Sequence, residues 1–503
     1  MPVLVRIALR NMREHIAKSV IIGVLVALGV IVLVLGNAMM DAAAEGTRVA
    51  FIDNFTGDVM VHGPSKAAVS IFGVQSMSMD SDTTVPTIPE FERTLELVRK
   101  DPRTAKASGM AVAYALLSVD AEETIADAAM ENEDNNGPPF AIVFGVDPEN
   151  YYDMFPSLKI VEGGRPLPGE PAIVIQKSQL ESLAKRYERT FAVGDKILLS
   201  GFGTAGFKIR EVVIAGVYER ASEQSGPMQM VYADIDTARV LGGLTLGADE
   251  TVKLDATQTS LLDTDDLDAL FGDDMVESVA DSDKALDPAK FAGMLGDSTE
   301  RERLNAADVG AWHFILVRLK DSGSAPDYIA DLTKSLGAEK IDARVVDWKA
   351  AAGSFASFSD IVRIIFNIAI IIIAVVAVIV MMNTLVVSVI ERTGEIGTMR
   401  ALGAQKGFVR SMFLTETLTI TLVFGAIGSV LAIGISLIVN ALHIEAGNDL
   451  LKLLFGGPTL KLSLRVVSFA FTLVMVFFVG WAAHLYPVAV ALRIPPVKAM
   501  QVE

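Results

Sequence analysis

The chain has 503 residues, of which 51% are hydrophobic, and a formal net charge of −18. That combination excludes an ordinary soluble enzyme and assigns the charge and the apolar residues to different compartments of one chain. The absence of cysteine excludes disulfides, CxxC redox chemistry and a lipid-modified N-terminal cysteine.

In chain order, residues 1–18 carry Arg6, Arg10, Arg13 and Lys18 and read as a cytoplasmic N-terminal helix. Residues 19–40 are free of charge and exceed the roughly 20 residues that a bilayer core requires, so they form a first transmembrane helix. This run is longer than a signal-peptide core. It is expected to be retained, although the small residues of DAAAEG (41–46) follow it.

Residues 41–363 hold 30 Lys+Arg against 54 Asp+Glu, a balance of −24, while the rest of the chain sums to +6. The acidity therefore belongs to one large outer domain. Within it, GDVMVHG (57–63) reads as a strand, PEFERTLELVRK (89–100) as a helix with Phe91, Leu95 and Val98 on one face, and GMAVAYALLSV (109–119) as a returning strand. HFILVRLK (313–320), a helix with Tyr328, Ile329, Leu332 and Leu336 on one face, and KIDARVVDW (340–348) spell the pattern again. Two such units predict a split-βαβ, ferredoxin-like sheet with residues from about 140 to 245 inserted between its halves. The insert contains VGDKILLSG, FKIREVVIAGVYE and MQMVYADI and is expected to form a small β-rich subdomain.

Two acidic segments, 120–139 and 249–302, bury too little to offset chain entropy and read as mobile loops. DTDDLDALFGDD (263–274) departs from the ligand order of an EF-hand and reads as a solvated loop. WKAAAGSFASFSDIVR (348–363) has Phe355, Phe358 and Val362 at helical spacing and no proline, which predicts a rigid helical stalk running into the second span.

Residues 364–390, 417–444 and 466–492 are three further apolar runs, giving four transmembrane helices in all. Between them lie a cytoplasmic segment (391–416) and an outer loop (445–465), and a cytoplasmic tail (493–503) follows. Ten basic residues flank the helix ends on the N-terminal side of the membrane against six opposite, which places residues 41–363 outside the cytoplasm.

Residues 391–416 put Ile396, Met399 and Leu402 on one helical stripe and Phe408, Val409, Met412 and Phe413 on another, with Gly403 breaking the helix between them. The pattern predicts two short amphipathic helices. Each glycine inside such a helix costs about 1 kcal/mol relative to alanine, so the segment needs support from the membrane surface or from a protein partner. The third span carries Gly425, Gly428, Ser429, Ala432 and Gly434, small residues that let another helix approach in a dimer or a tight bundle. Asn383, Thr384, Glu416, His484, Tyr486 and Pro487 are the polar or irregular points of the spans, and interhelical packing explains them better than a solute path. The five histidines are scattered and neither HExxH, GxSxG nor GxxxxGK[ST] occurs, so no catalytic residue, cofactor site or metal site is expected.

ERTGEIGTMRALGA (391–404) resembles the motif after the second span in permease subunits of the ABC transporter superfamily that includes MacB, the LolC and LolE lipoprotein-releasing subunits and FtsX. NTLVVSVIER, the tail YPVAVALRIPPVKAMQ (486–501), and FGVDPENYYDMFP (144–156) with the IVEGGRPL and VYADIDTARVLGG that follow are similar to the same family. The acidic tracts fall outside the likeness. It implies a non-enzymatic permease of the bacterial inner membrane, an α-helical membrane protein with a large α+β extracytoplasmic domain. Its implied partners are a cytoplasmic ATPase dimer that binds the ATP and Mg, a second permease subunit, membrane lipids and a periplasmic carrier or adaptor, with no nucleic acid. Carried onto this sequence, the likeness makes Glu391, Arg392, Glu395, Ile396, Arg400, Ala401, Leu402 and Gly403 the residues that make or shape the ATPase contact. RVAFIDNFTGDVMVHGP (48–64) resembles the lipoprotein-releasing branch, which implies lipoprotein cargo, with MacB-like export and mechanical signalling as the alternatives.

Overall fold

The computed structural model describes residues 10, 16–75, 84–119, 140–167, 169–203, 206–220, 230–247, 303–445, 447, 451, 455, 457 and 459–493. The acidic segments 120–139 and 249–302 and the calcium-loop candidate lie outside them. The chain forms two units, one built on residues up to Asn54 and from Ser354 onward, the other on Phe55–Ala221 and Met228–Gly353.

The first helix, α1 (Ile16–Phe51), spans 36 residues. At 1.5 Å per residue it is about 54 Å long, well beyond the ~30 Å hydrocarbon core. The outer unit begins with β1 (Val59–His62), a hairpin of β2 (Ala68–Ser70) and β3 (Gly73–Gln75), α2 (Phe91–Lys100) and the 15-residue β4 (Thr104–Ser118). Next come β5 (Phe140–Val146), α3 (Tyr151–Met154), β6 (Leu158–Gly163), β7 (Ala172–Gln176), α4 (Lys177–Arg186), β8 (Lys196–Gly203), β9 (Gly206–Arg220), β10 (Met230–Asp234) and α5 (Ile235–Leu241). The unit closes with β11 (Phe314–Leu319), α6 (Ala325–Ala338), β12 (Arg344–Asp347) and the short α7 (Trp348–Ala352).

The split-βαβ expectation holds in order and direction. Strands β12, β1, β11 and β4 are adjacent and antiparallel throughout. Phe91, Leu95 and Val98 of α2 and Tyr328, Leu332 and Leu336 of α6 are buried in one core against Val59, Val61, Ile315 and Val317. The insert is strand-rich, as read, but its strands extend the same sheet. The first half of β4 pairs with β11 and its second half with β5 and β8, so one long strand carries the sheet on through β5, β10, β7, β9 and β6. A second core, with Leu117, Val143, Ile173, Leu199, Ile214 and Val231, lies in this half.

Two buried side chains set the seam between the halves. Arg239 on α5 lies over the Trp312 ring at 4.6 Å, donates to the Ala311 and Val309 carbonyls at 3.0 and 2.6 Å and pairs with Asp236 at 3.0 Å. His313 follows at once, buried, with its Nδ1 accepting from the Val112 N–H at 3.0 Å. Burial opposes the charged imidazolium and pushes the His313 pKa down to about 4.

The membrane unit resumes with α8 (Ser354–Glu391), α9 (Thr393–Ala401), α10 (Lys406–Ala441) and α11 (Val466–Arg493). The stretch 348–363 is not one helix. Gly353 sits at φ 63°, a backbone conformation open to glycine, and separates α7 from α8. Phe355 then stacks on Phe51 of α1 with centroids 6.3 Å apart. Among the described residues four helices, from Ser19, Ser354, Lys406 and Val466, are long and apolar enough to cross a membrane. Their shared core includes Val26, Val30 and Val34 of α1, Ile370 and Met381 of α8, Ile420 and Ala432 of α10, and Val476 and Ala483 of α11.

Candidate coupling site at the cytoplasmic elbow

The segment between the second and third spans folds into an elbow. Helix α8 ends at Glu391, Arg392 caps α9, and α9 ends in a Schellman motif: the Ala404 N–H donates to the Met399 carbonyl at 3.0 Å and the Gly403 N–H to the Arg400 carbonyl at 3.2 Å. Gly403 lies at φ 102°, which requires glycine there. The second amphipathic helix expected from the sequence is the first turns of α10, continuous with the third span.

The base of the elbow is apolar. Val389 of α8, Ile396 of α9, Val409, Met412 and Phe413 of α10 and Val488 of α11 are buried together, with Met399 and Leu492 packed against them. An ion pair crosses this layer: Arg392 Nη1 donates to Glu416 Oε1 and Oε2 at 3.1 and 3.2 Å, with both side chains buried. Glu416, one of the polar points of the spans that the sequence assigns to interhelical packing, is therefore sequestered.

The eight coupling candidates divide into two groups. Arg392 and Ile396 are buried in the base and Arg400 is half-buried, whereas Glu391, Glu395, Ala401, Leu402 and Gly403 face outward. Leu402 leaves the stripe it shares with Ile396 in the sequence because α9 ends one residue before it, and its side chain is 89% exposed at the tip. The elbow is thus an apolar point on a locked base, a shape suited to entering a groove on a protein.

The small residues of α10 are placed by the bundle itself. Gly425, Gly428, Ser429 and Ala432 are buried, and a Cβ on Gly428 would stand 2.6 Å from the Ala27 carbonyl oxygen of α1. A side chain at Gly434 would meet nothing within 4 Å, so this residue lies off the contact. Gly428→Val is expected to destabilise the bundle by about 1–3 kcal/mol through overpacking, while Gly434→Ala should be neutral or stabilise by up to about 1 kcal/mol. Thermal unfolding of the two variants in detergent checks the contrast.

Among the polar points of the spans, Asn383 and Tyr486 face outward, Thr384 bonds the Val380 carbonyl, and His484 is buried against the Trp481 carbonyl. They do not converge on one path. Sequence reasoning missed Gly23 and Gly36 of α1, where a Cβ would run into the Phe424 and Phe366 rings. It also missed the charged contacts of α1 at the other end of the bundle. Among the described residues no three potential metal ligands cluster.

Residues 367–496, which contain most of the second span, the elbow and the third and fourth spans, match the FtsX-like permease C-terminal family, and residues 24–264 match the MacB-like periplasmic core domain. The chain belongs to the MacB/FtsX family of permeases. As a member of that family it is a multi-pass inner-membrane protein, and the MacB-like match runs from within the first spanning helix into the segment that precedes the second.

Among relatives of this MacB/FtsX permease, "Macrolide export ATP-binding/permease protein MacB" of Chlorobaculum tepidum is 36% identical over 124 residues, 24% of this chain and 16% of that protein. The "Uncharacterized ABC transporter permease YvrN" of Bacillus subtilis is 32% identical over 165 residues, 33% of this chain and 37% of that one. The alignments thus span well under half the length of these curated relatives. The periplasmic region of MacB from Actinobacillus actinomycetemcomitans is similar over 60% of this chain and 92% of that one, at 11% identity and a TM-score of 0.29.

Proposed function

We propose that this permease is the membrane subunit of an ATP-driven transporter, and that a separate ATPase dimer, which supplies the ATP and Mg, grips the elbow at residues 391–405. The observation that carries this reading is Leu402, exposed at the tip of an elbow whose base is fixed by the buried Arg392–Glu416 pair and the Schellman turn. A fixed base transmits a push on the tip into α8 and α10 instead of absorbing it.

Two permease subunits would work together, with α1 and α8, both longer than the bilayer core, carrying the motion outward. The cargo would be hydrophobic and handled at the outer face of the inner membrane, with a periplasmic carrier or adaptor receiving it. The resemblance of residues 48–64 favours lipoproteins, and the macrolide-export name of the MacB relatives favours the second reading, export through an envelope assembly.

Leu402→Asp is expected to leave folding stability within about 0.5 kcal/mol, because the side chain is exposed. As the apolar anchor of an interface it should cost docking about 2 kcal/mol or more, roughly 30-fold in affinity. Purification of the native chain and of this variant from the host, with mass spectrometry of what accompanies each, tests the reading. An ATPase retained equally by both would contradict it. Acylated lipoproteins in the native preparation support lipoprotein release, and an outer-membrane channel supports export.

A further inference from the structure

Helix α8 packs in the bundle core but buries few of its own residues. Of its 38 residues, Ala356, Ile370, Met381, Leu385 and Val389 are the buried ones. An ion pair ties it near each end: Arg392 to Glu416 at the elbow, and Arg363, about 44 Å away along the helix, to Asp41 of α1.

The outer pair belongs to a larger polar group. Asp41 is 1% exposed and accepts from Arg363 Nη2 through Oδ1. Glu45, one turn further along α1, pairs with Arg465 just ahead of α11 at 2.7 Å, and Asn37, one turn before Asp41, donates to Thr472 Oγ1 of α11 at 3.1 Å. The other carboxylate oxygen of Asp41, Oδ2, is buried and meets no donor among the described residues. Asp41 lines a cavity of about 10 Å³ together with Asn37, Arg465, Ser468 and Thr472. Val34, Ala38, Leu464 and Phe469 complete the cavity's lining, and it has room for about one water beside its polar residues. The guanidinium of Arg465 at the cavity, and that of Arg363 on the same carboxylate, disfavour a metal cation there, whereas a water can donate to Oδ2 and accept from a hydroxyl.

We propose that Asp41 is the node of a hydrated lock: Oδ1 holds α8 through Arg363, and one water bound at Oδ2 joins α1 to the hydroxyls of α11. Releasing the node removes the polar tie at the outer end of α8 and leaves that end to apolar contacts, Phe355 on Phe51 and the Phe366 ring against Gly36. The lock is a property of this chain alone and stands whether or not the elbow meets an ATPase.

The chain has no native cysteine, so Met39→Cys on α1 and Ile361→Cys on α8, both at exposed positions, accept spin labels cleanly. In full-length protein in lipid nanodiscs, pulsed electron paramagnetic resonance should give one narrow distance distribution. Asp41→Asn and Arg363→Gln should each broaden it, and the double variant should broaden it no further. An unchanged distribution in both single variants overturns the lock. The water is read from thermal midpoints of Asp41→Asn, Ser468→Ala and their combination, where the double variant should lose less than the sum of the single losses. Strictly additive losses overturn the water bridge. Should Asp41→Asn fail to fold, Arg363→Gln with Ser468→Ala carries the same cycle, since both act through Asp41.

Discussion

Glu416→Ala is expected to cost about 3–5 kcal/mol and to abolish coupling to an ATPase, because it leaves the Arg392 guanidinium buried without its counter-charge. The pair lies among Val389, Ile396, Val409, Met412, Phe413 and Val488, where water cannot readily replace the lost carboxylate. Arg392→Ala removes the same contact and should destabilise in the same direction. The combination Arg392→Met with Glu416→Leu removes both charges and keeps the volume, so it should recover most of the stability, as buried pairs replaced by apolar side chains commonly do. Thermal unfolding of the three variants in detergent separates these outcomes. If the single and double variants lost stability equally, the pair would not be what fixes the elbow.

Acidification is expected to destabilise the outer domain through His313. Its folded pKa of about 4 lies below the ~6.5 of an unfolded histidine, so as pH falls the unfolded chain takes up the proton first. The full contribution is present above about pH 6.5 and is lost progressively toward pH 4, where the loss amounts to about 3 kcal/mol. Protonation at Nδ1 also removes the acceptor of the Val112 N–H. His62, likewise buried and pushed down first by burial, adds a loss of the same sign. Intrinsic fluorescence includes Trp312, the neighbour of His313, and thermal midpoints followed by it between pH 7 and pH 4 should fall more steeply in the native chain than in His313→Gln. An equal fall in both would assign the acid sensitivity elsewhere.

What the sequence disclosed follows from period and composition. The four spans are runs without charge, and the ferredoxin-like half declares itself through Phe91, Leu95 and Val98 and through Tyr328, Leu332 and Leu336, spaced for a helix with one buried face. Strands β5 and β7 were invisible to that test because residues 141–146 and 172–175 are buried on both faces and show no alternation. Gly434 was grouped with Gly425, Gly428, Ser429 and Ala432 by composition, yet two residues beyond Ala432 a helix has turned about 200° and points elsewhere. Leu402 was assigned to a stripe that ends before reaching it, since the Schellman turn, not periodicity, decides where its side chain goes. The ion pairs escaped notice for another reason: Asp41 and Arg363 are 322 residues apart, and no local pattern joins them.

The central claim is that the elbow tip touches an ATPase. Leu402→Cys would be the sole thiol of an otherwise cysteine-free chain, and it can carry a short photoreactive maleimide in native membranes. The account predicts that illumination joins this site to a soluble protein with a GxxxxGK[ST] phosphate loop, while the same probe at Asn383→Cys, exposed within the second span, does not. Adducts with lipid alone at Leu402→Cys, or the same ATPase captured from both positions, would contradict it.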